Sequence, residues 1–563
     1  MRDLVAIMAW RAGSAARVFM SLFISAAPFL VLSHTVASES TVRPNFLLIV
    51  ADDLGISDLG AFGGEIETPT LDRLAMDGLR FSDFTAAPTC SPTRAMLLSG
   101  TDHHIAGLGN MMEKMAENQR GQPGYEGHLS TRVRTVAKIL ADSGYRTYIS
   151  GKWHLGLKPD QAPSERGFQR SFVLLQGAAG HFDDTGPKSS KPTSDYRDGP
   201  DKSGWPSGAY STDEYTDRLL AYLEEDSDSD QPFFAYLSYT APHWPLQAPQ
   251  DLVDKYHGRY DQGWDQLRTQ RIERMLALGL LDRRHHWREP PNYARWADLS
   301  DDERRVESRK MEVYAAMVDR LDQGVARVLQ KLRDLNELDR TLIIFLSDNG
   351  PEAKELDKAP DFGPHVRKFN NSLESIGTRE SFTFLGPGWS SVSNGSYRGF
   401  KGNITEGGSR VPAFVWPANA KDGGRIVRQP LHVMDIAPTI LEFAEIPIPD
   451  EPYEHDGRSI APVRGKSFRA LLSDANQQIH GENRIFAMEL FGRRAVRRGD
   501  WKLTWEETPS GENRWELFNL KEDPGETTDL SRESPDVMQS LIDRWSVYVT
   551  DVGVILPNSM QGY

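Results

Sequence analysis

The sequence predicts an α/β protein with a large doubly wound parallel sheet, helices on both faces, and a smaller antiparallel sheet near the C-terminus. Three observations predict it. Short, continuous apolar runs recur along the chain, helical patterns lie between them, and after about residue 450 the pattern changes to short strands separated by tight turns. A strand buried on both faces reads as an unbroken apolar run, whereas a half-buried one alternates. The 563 residues are 39% hydrophobic and 26% charged, which excludes disordered, collagenous and polytopic membrane classes. A formal charge of -15 disfavours nucleic acid and anionic membrane as partners, because both would repel the chain.

The elements follow in order. Arg2, Arg11 and Arg17 precede an apolar run from Val18 to Leu32, and Val36-Ala37-Ser38 offers a small-residue cleavage site. Residues 1–38 therefore read as a cleaved signal peptide, which makes the protein exported, periplasmic or secreted. The run is shorter than the roughly 20 residues of a membrane span, so no stable membrane association is expected. Buried strands are expected at Asn45–Ala51, Tyr145–Ser150, Phe233–Tyr239, Leu342–Ser347 and Pro412–Trp416. Helices are expected at Thr131–Ala141 and about Asp302–Leu335. In the second, Tyr314, Val318, Leu321, Val325, Val328 and Leu332 fall on one face, which is core packing. A charged stretch at about 260–301 reads as a helical insertion on the helix layer. Residues 39–455 form the large α/β domain and 456–563 a C-terminal subdomain, with antiparallel strands near Ile485–Leu490, Arg494–Arg498 and Trp501–Thr504.

The residues that follow these runs are the informative ones. Ala51 is followed by Asp52-Asp53, Ser150 by Gly151-Lys152-Trp153-His154, Tyr239 by Thr240-Ala241-Pro242-His243, and Ser347 by Asp348-Asn349-Gly350. In open α/β sheets ligands bind beyond the carboxyl ends of the strands, so these residues converge on one rim. Asp52, Asp53 and Asp348 would repel one another unless a cation lay between them. With the Asn349 carbonyl they form a hard oxygen set suited to Ca²⁺ or Mg²⁺; the histidines leave zinc open on composition. Cys90 is the single cysteine, so no internal disulfide forms. Pro92 fits the first turn of a helix, which puts Cys90 and Arg94 at a helix N-terminus, where anions are favoured.

Cys90-x-Pro92-x-Arg94 with Leu97-x-x-Gly100 resembles the signature of the type I sulfatases, and Gly151-Lys152-Trp153-His154-Leu155-Gly156 is similar to their second signature. The likeness runs from about Arg43 to about Val549. It is nearest to bacterial arylsulfatases, through Val50–Gly55, Thr101–Gly107 and Ala241–Pro249. The resemblance implies an alkaline-phosphatase-like fold and hydrolysis of a sulfate monoester to an alcohol or phenol plus sulfate. It implies that a maturation enzyme converts Cys90 to formylglycine (3-oxoalanine), whose gem-diol attacks sulfur. One Ca²⁺, rather than Mg²⁺, would be held by Asp52, Asp53, Asp348, Asn349 and the modified Cys90. Lys152 and Lys401 would stabilise developing charge, His243 would protonate the leaving alcohol, Arg94 would hold the diol, and His154 would deprotonate it for sulfate release. The substrate is a small-molecule sulfate ester and the protein a monomer. Residues Ser381–Arg398 depart from the family and are expected to line the substrate pocket; His103 and His104 keep open a pocket or a structural role. Two alternatives remain: a phosphonate monoester or phosphodiester hydrolase using the same aldehyde, and an inactive sulfate-binding protein with an unmodified thiol.

Overall fold

The computed structural model describes residues 43–559 apart from 283–285, 291–292 and 418–422. The signal peptide expected at 1–38 lies outside the described residues. From Arg43 onward the chain forms one contact unit, and among the described residues no helix is long and apolar enough to cross a membrane.

A ten-stranded sheet organises the molecule. Its strands are β1 (Asn45–Ala51), β2 (Leu79–Phe81), β3 (Arg146–Lys152), β4 (Arg170–Leu174), β5 (Tyr196–Asp198), β6 (Asp201–Ser203), β7 (Phe233–Ser238), β8 (Thr341–Ser347), β9 (Ala413–Trp416) and β10 (Arg425–Val427). The spatial order is β10-β2-β9-β8-β1-β7-β3-β4-β5-β6. Strand β1 lies in the middle, parallel to β7 through Leu48↔Tyr236 and to β8 through Leu48↔Ile344.

Each residue of β1 is buried, and successive side chains enter different cores, as the pleat requires. Phe46, Leu48 and Val50 pack with Met96 and Leu97 of helix Cys90–Ser99, Ile139 of helix Val136–Asp142 and Ile440 of helix Ile436–Phe443. Leu47, Ile49 and Ala51 pack with Leu71 of helix Pro69–Asp77, Leu219 of helix Ser211–Glu225 and Val318 of helix Asp301–Asp334. The sheet is thus doubly wound. The long helix begins at a capping box, with Ser300 accepting from the Glu303 amide, and carries Asp301, Asp302 and Glu303 in its first turn and Lys331 and Arg333 in its last, both favourable to the helix dipole.

The sheet is mixed rather than wholly parallel. β9 runs antiparallel to β8, and β5 and β6 are antiparallel as well. An apolar run reports burial on two faces and carries no direction. Between β8 and β9 the chain stays at the end where β8 finishes, with the Gly350 amide donating to the Gly408 carbonyl at 3.0 Å. It therefore re-enters the sheet from that same end. The expected helix at Thr131–Ala141 begins later, at Val136, because Thr135 caps it by accepting from the Lys138 amide.

The C-terminal sheet has four antiparallel strands, β11 (Ile485–Leu490), β12 (Arg493–Arg498), β13 (Trp501–Trp505) and β14 (Trp515–Asn519). Its apolar face, with Val496, Leu503 and Leu517, is covered by Leu541 and Trp545 of helix Pro535–Val552.

Candidate active site

Three strand ends and one helix start meet at the rim. Asp52 and Asp53 follow β1, Lys152 closes β3, Asp348 and Asn349 follow β8, and Cys90 opens the helix Cys90–Ser99. Asp53 takes a left-handed φ of 67°, a conformation that aspartate tolerates better than most residues. All seven of Asp52, Asp53, Cys90, Arg94, Lys152, Asp348 and Asn349 are buried.

The buried charges are tightly matched. Lys152 Nζ lies 2.6 Å from Asp52 Oδ2. Lys401 Nζ lies 2.7 Å from Asp53 Oδ1. Arg94 donates from Nε and Nη2 to Asp348 Oδ2, at 3.0 and 2.8 Å. Its Nη1 donates to the Lys152 carbonyl, Tyr236 Oη and Ser238 Oγ. The guanidinium is thus occupied in fixing Asp348 and the ends of β3 and β7. Cys90 Sγ stands 3.5 Å from Asp52 Oδ1.

The acids respond unequally. Burial, then Asp348, pushes Asp52 above its ordinary range. Burial pushes Asp53 up to about 7 despite Lys401. Burial also opposes the charge of Asp348, but Arg94, Lys152 and Lys401 together hold it below its ordinary value. Burial and then Asp348 raise the Cys90 thiol well above its usual range.

The donor set fits a hard divalent cation. Ligand atoms of Asp52, Asp53, Cys90 and His243 lie within 4.8 Å of one another. Asn349 donates its amide to Asp53 Oδ1 at 2.7 Å, while its buried carbonyl oxygen Oδ1 has no hydrogen-bond partner. A buried acceptor without a donor is costly. It is a natural ligand where acids are held above their ordinary range by burial, the condition that an added positive charge relieves.

Two histidines flank the site. The His243 Nδ1–H donates to the Trp244 carbonyl at 2.7 Å, so Nε2 is the bare nitrogen, 3.5 Å from Asp53 Oδ2. Burial, with Lys401 and Lys152, holds this ring well below the usual imidazole range and keeps it neutral. His154 has a positive φ of 53°, so it leaves the line of β3 instead of continuing beside Lys152. Its Nε2 lies 3.2 Å from Glu113 Oε1, and burial lowers its affinity for a proton.

A cavity of about 280 Å³ opens on Cys90, His154, His243 and Lys401. Its wall comes from residues 108–114, 175–178, 187–191, 243–244 and 352–362. The expectation that Ser381–Arg398 would line it is corrected: none of those residues does. Helix Gly386–Ser393 instead packs against helix Trp264–Ala277, with Trp389 fully buried against Trp264 and Trp296. His103 and His104 do not line the cavity either. His104 bridges Asp102 and Glu489, and the His103 Nδ1–H donates to the Leu108 carbonyl. Nothing in the sequence singled out Glu113, which sits in the short 3₁₀ turn Met112–Lys114, 41 positions from His154. Ser238 ends a buried strand at the rim, and its position was the one available signal.

The fold and this rim define a class: a hydrolase of alkaline-phosphatase-like architecture with an acidic, cation-compatible centre beside a buried cysteine. A family model described as Sulfatase matches residues 44–446, and the chain belongs to that family. It is 42% identical to an uncharacterized sulfatase of Schizosaccharomyces pombe over 91% of this chain and 94% of that one. It is 33% identical to an arylsulfatase of Klebsiella aerogenes over 80% of this chain and 96% of that one. Among solved structures, PsFucS1 sulfatase from Pseudoalteromonas sp. superposes with a TM-score of 0.60 at 20% identity, covering 90% of each chain; that likeness concerns the fold. The activity that family membership supports is hydrolysis of sulfate esters.

Proposed function

We propose that the protein is an exported arylsulfatase whose Cys90 is converted to formylglycine by a maturation enzyme and whose acidic cage holds one Ca²⁺. The observation that carries this reading is the placement of Cys90, the chain's single cysteine, at a helix start 3.5 Å from Asp52. A thiol held protonated by burial and by neighbouring carboxylates is a poor nucleophile, so the position serves the reaction only after its chemistry is changed.

Asp52, Asp53, Asp348 and the Asn349 carbonyl would hold the cation. When present, the cation supplies Lewis acidity and the hydrated aldehyde supplies the attacking oxygen. The remaining work belongs to the chain. Lys152 and Lys401 place two buried ammonium groups at the rim, where negative charge develops as the sulfate–oxygen bond breaks. Charge that is already oriented needs no reorganisation at that moment. His243 turns its bare Nε2 toward the site with its tautomer fixed by the Trp244 carbonyl; that nitrogen would take the proton given up by the attacking hydroxyl and hand it to the leaving oxygen. Arg94 keeps Asp348 ionised and fixed. His154, paired with Glu113, is the second base within the cavity wall and can take the proton whose loss accompanies sulfate release.

Expression with and without a formylglycine-generating enzyme tests this. The Cys90 peptide should lose sulfur and two hydrogens and gain one oxygen, and aryl sulfate turnover should track the modified fraction. Cys90→Ala should lower kcat by at least about 10³-fold with an unchanged melting curve. Retained turnover in that variant would remove the nucleophile assignment, and an aryl phosphonate preferred over the aryl sulfate would reassign the reaction.

A further inference from the structure

The wall of the cavity above Cys90 has two chemistries. Leu108, Met111, Leu175, Trp244, Leu356 and Phe362 make it predominantly apolar. Gln176 offers little to a ligand, because its amide and carbonyl are both engaged with Asp195. A sugar ring buried against these side chains would leave the hydroxyls that face them without partners, at a cost for each. A flat aromatic ring would lose nothing.

Into this wall the fold sets half-buried lysines from three separate segments, Lys114, Lys188 with Lys191, and Lys354. They do not serve the reaction centre, whose three carboxylates are paired with Arg94, Lys152 and Lys401. Lys114 and Lys354 converge on one aromatic ring: their Nζ atoms lie 5.9 and 5.2 Å from the centroid of Phe362. Asp361 approaches Lys114 at 3.4 Å and is half exposed. Burial, and then Lys114, lowers the proton affinity of the Lys354 ammonium against the opposing pull of Glu352 and Asp361. This concentration of positive charge sits in a chain with a formal charge of -15.

We propose that the cavity takes aromatic sulfates that carry a second anionic group, a carboxylate or a further sulfate, and that this group docks between Lys114 and Lys354 over the edge of Phe362. The proposal rests on the sulfatase reading of the Cys90 site and adds a second point of recognition to it. One end of the substrate meets Lys152 and Lys401, its ring fills the apolar wall, and its second anion meets the lysine pair. Two fixed charges at a set separation select for length as well as for charge.

Steady-state kinetics of the matured enzyme would compare 2-naphthyl sulfate with the same ester bearing a carboxylate on the distal ring. The carboxylate should raise kcat/KM by about tenfold at low ionic strength, mainly through KM, and salt should erode the advantage. In the Lys114→Met/Lys354→Met double variant the ratio between the two esters should fall to near one, whereas Lys354→Arg should keep most of it. Because the readout is a ratio within one protein preparation, partial misfolding does not mimic the result. Equal kcat/KM for the two esters in the wild type, or a ratio that survives in the double variant, would overturn the proposal. Turnover of neither ester by protein whose Cys90 carries the aldehyde is a different outcome, and it defeats the sulfatase reading beneath it.

Discussion

The protein contains two buried clusters with the same formal charge balance and different fates. At the rim, Asp52, Asp53 and Asp348 face Arg94, Lys152 and Lys401. Where the C-terminal sheet meets the elements around the large sheet, Asp83, Glu406 and Glu526 face Arg410, Arg497 and Lys502. The junction is closed. Arg497 grips both oxygens of Asp83, Lys502 bridges Glu406 and Glu526 at 2.8 and 3.0 Å, and the Glu406 amide donates to Glu526 at 2.7 Å. Against the upward push of burial, its arginines hold Asp83 and Glu406 below their ordinary ranges. Glu526 is the exception, pushed up to about 7 by burial. At the rim the balance tips the other way: two of three acids are raised and the Asn349 side-chain carbonyl has no donor. Equal charge counts therefore say little about role. What separates an architectural cluster from a reactive one is whether each group already has its partner.

The junction offers the largest effect by which to break this comparison. Glu406→Gln leaves Arg410 and Lys502 short of their common partner, and breaking a buried charge network costs about 3–5 kcal/mol. Urea unfolding should show that loss, while kcat of the matured enzyme below its transition changes by less than about threefold, a difference under about 0.7 kcal/mol. A large fall in kcat with stability preserved would mean that the junction belongs to the reaction after all.

How much of this was legible in the sequence depended on the kind of signal. β1 has the expected bounds, because each of its seven residues is buried and burial on both faces leaves an unbroken apolar run. Asp52, Asp53, Asp348 and Asn349 were visible as polar residues just beyond such runs, and the structure does bring them together. Direction was not legible: Ala413–Trp416 is as apolar in an antiparallel pairing as in a parallel one. Nor was the junction, since Asp83 and Arg497 are 414 positions apart and isolated charged residues carry no mark of burial. Glu113 was hidden for the same reason. Strand β14 and helix Pro535–Val552 were overlooked because their apolar faces cover only a small local core, in which Leu541 and Trp545 meet Val496 and Leu517.

The histidines sharpen the contrast. His243 at the rim is held neutral. His104, beside the C-terminal sheet, lies 3.0 Å from Asp102 and 3.2 Å from Glu489, and these carboxylates overcome burial to push it up to about 9. A base whose folded value exceeds its unfolded one near 6.5 stabilises fully below that unfolded value, and the contribution fades as pH rises toward the folded one. Between pH 6.5 and 9 the wild type should therefore lose about 3 kcal/mol relative to His104→Gln, which lacks the titrating ring. Parallel stability–pH curves for the two proteins would show that the bridge is uncharged.

The smallest effect separates the clusters most directly. A ligand that binds only the folded state stabilises it by about 2.7 kcal/mol at a hundred times its dissociation constant. The rim has the open acceptor and the raised acids that a cation would relieve; the junction is already held together by its own arginines and lysine. Calcium added to chelator-treated protein should therefore raise the unfolding free energy of the wild type by about that amount, and should do so undiminished in Glu406→Gln although that variant starts lower. Asp53→Asn preserves the shape of the rim but removes one charge, and should lose most of the increment. If Glu406→Gln lost the calcium response and Asp53→Asn kept it, the roles given to the two clusters would have to be exchanged.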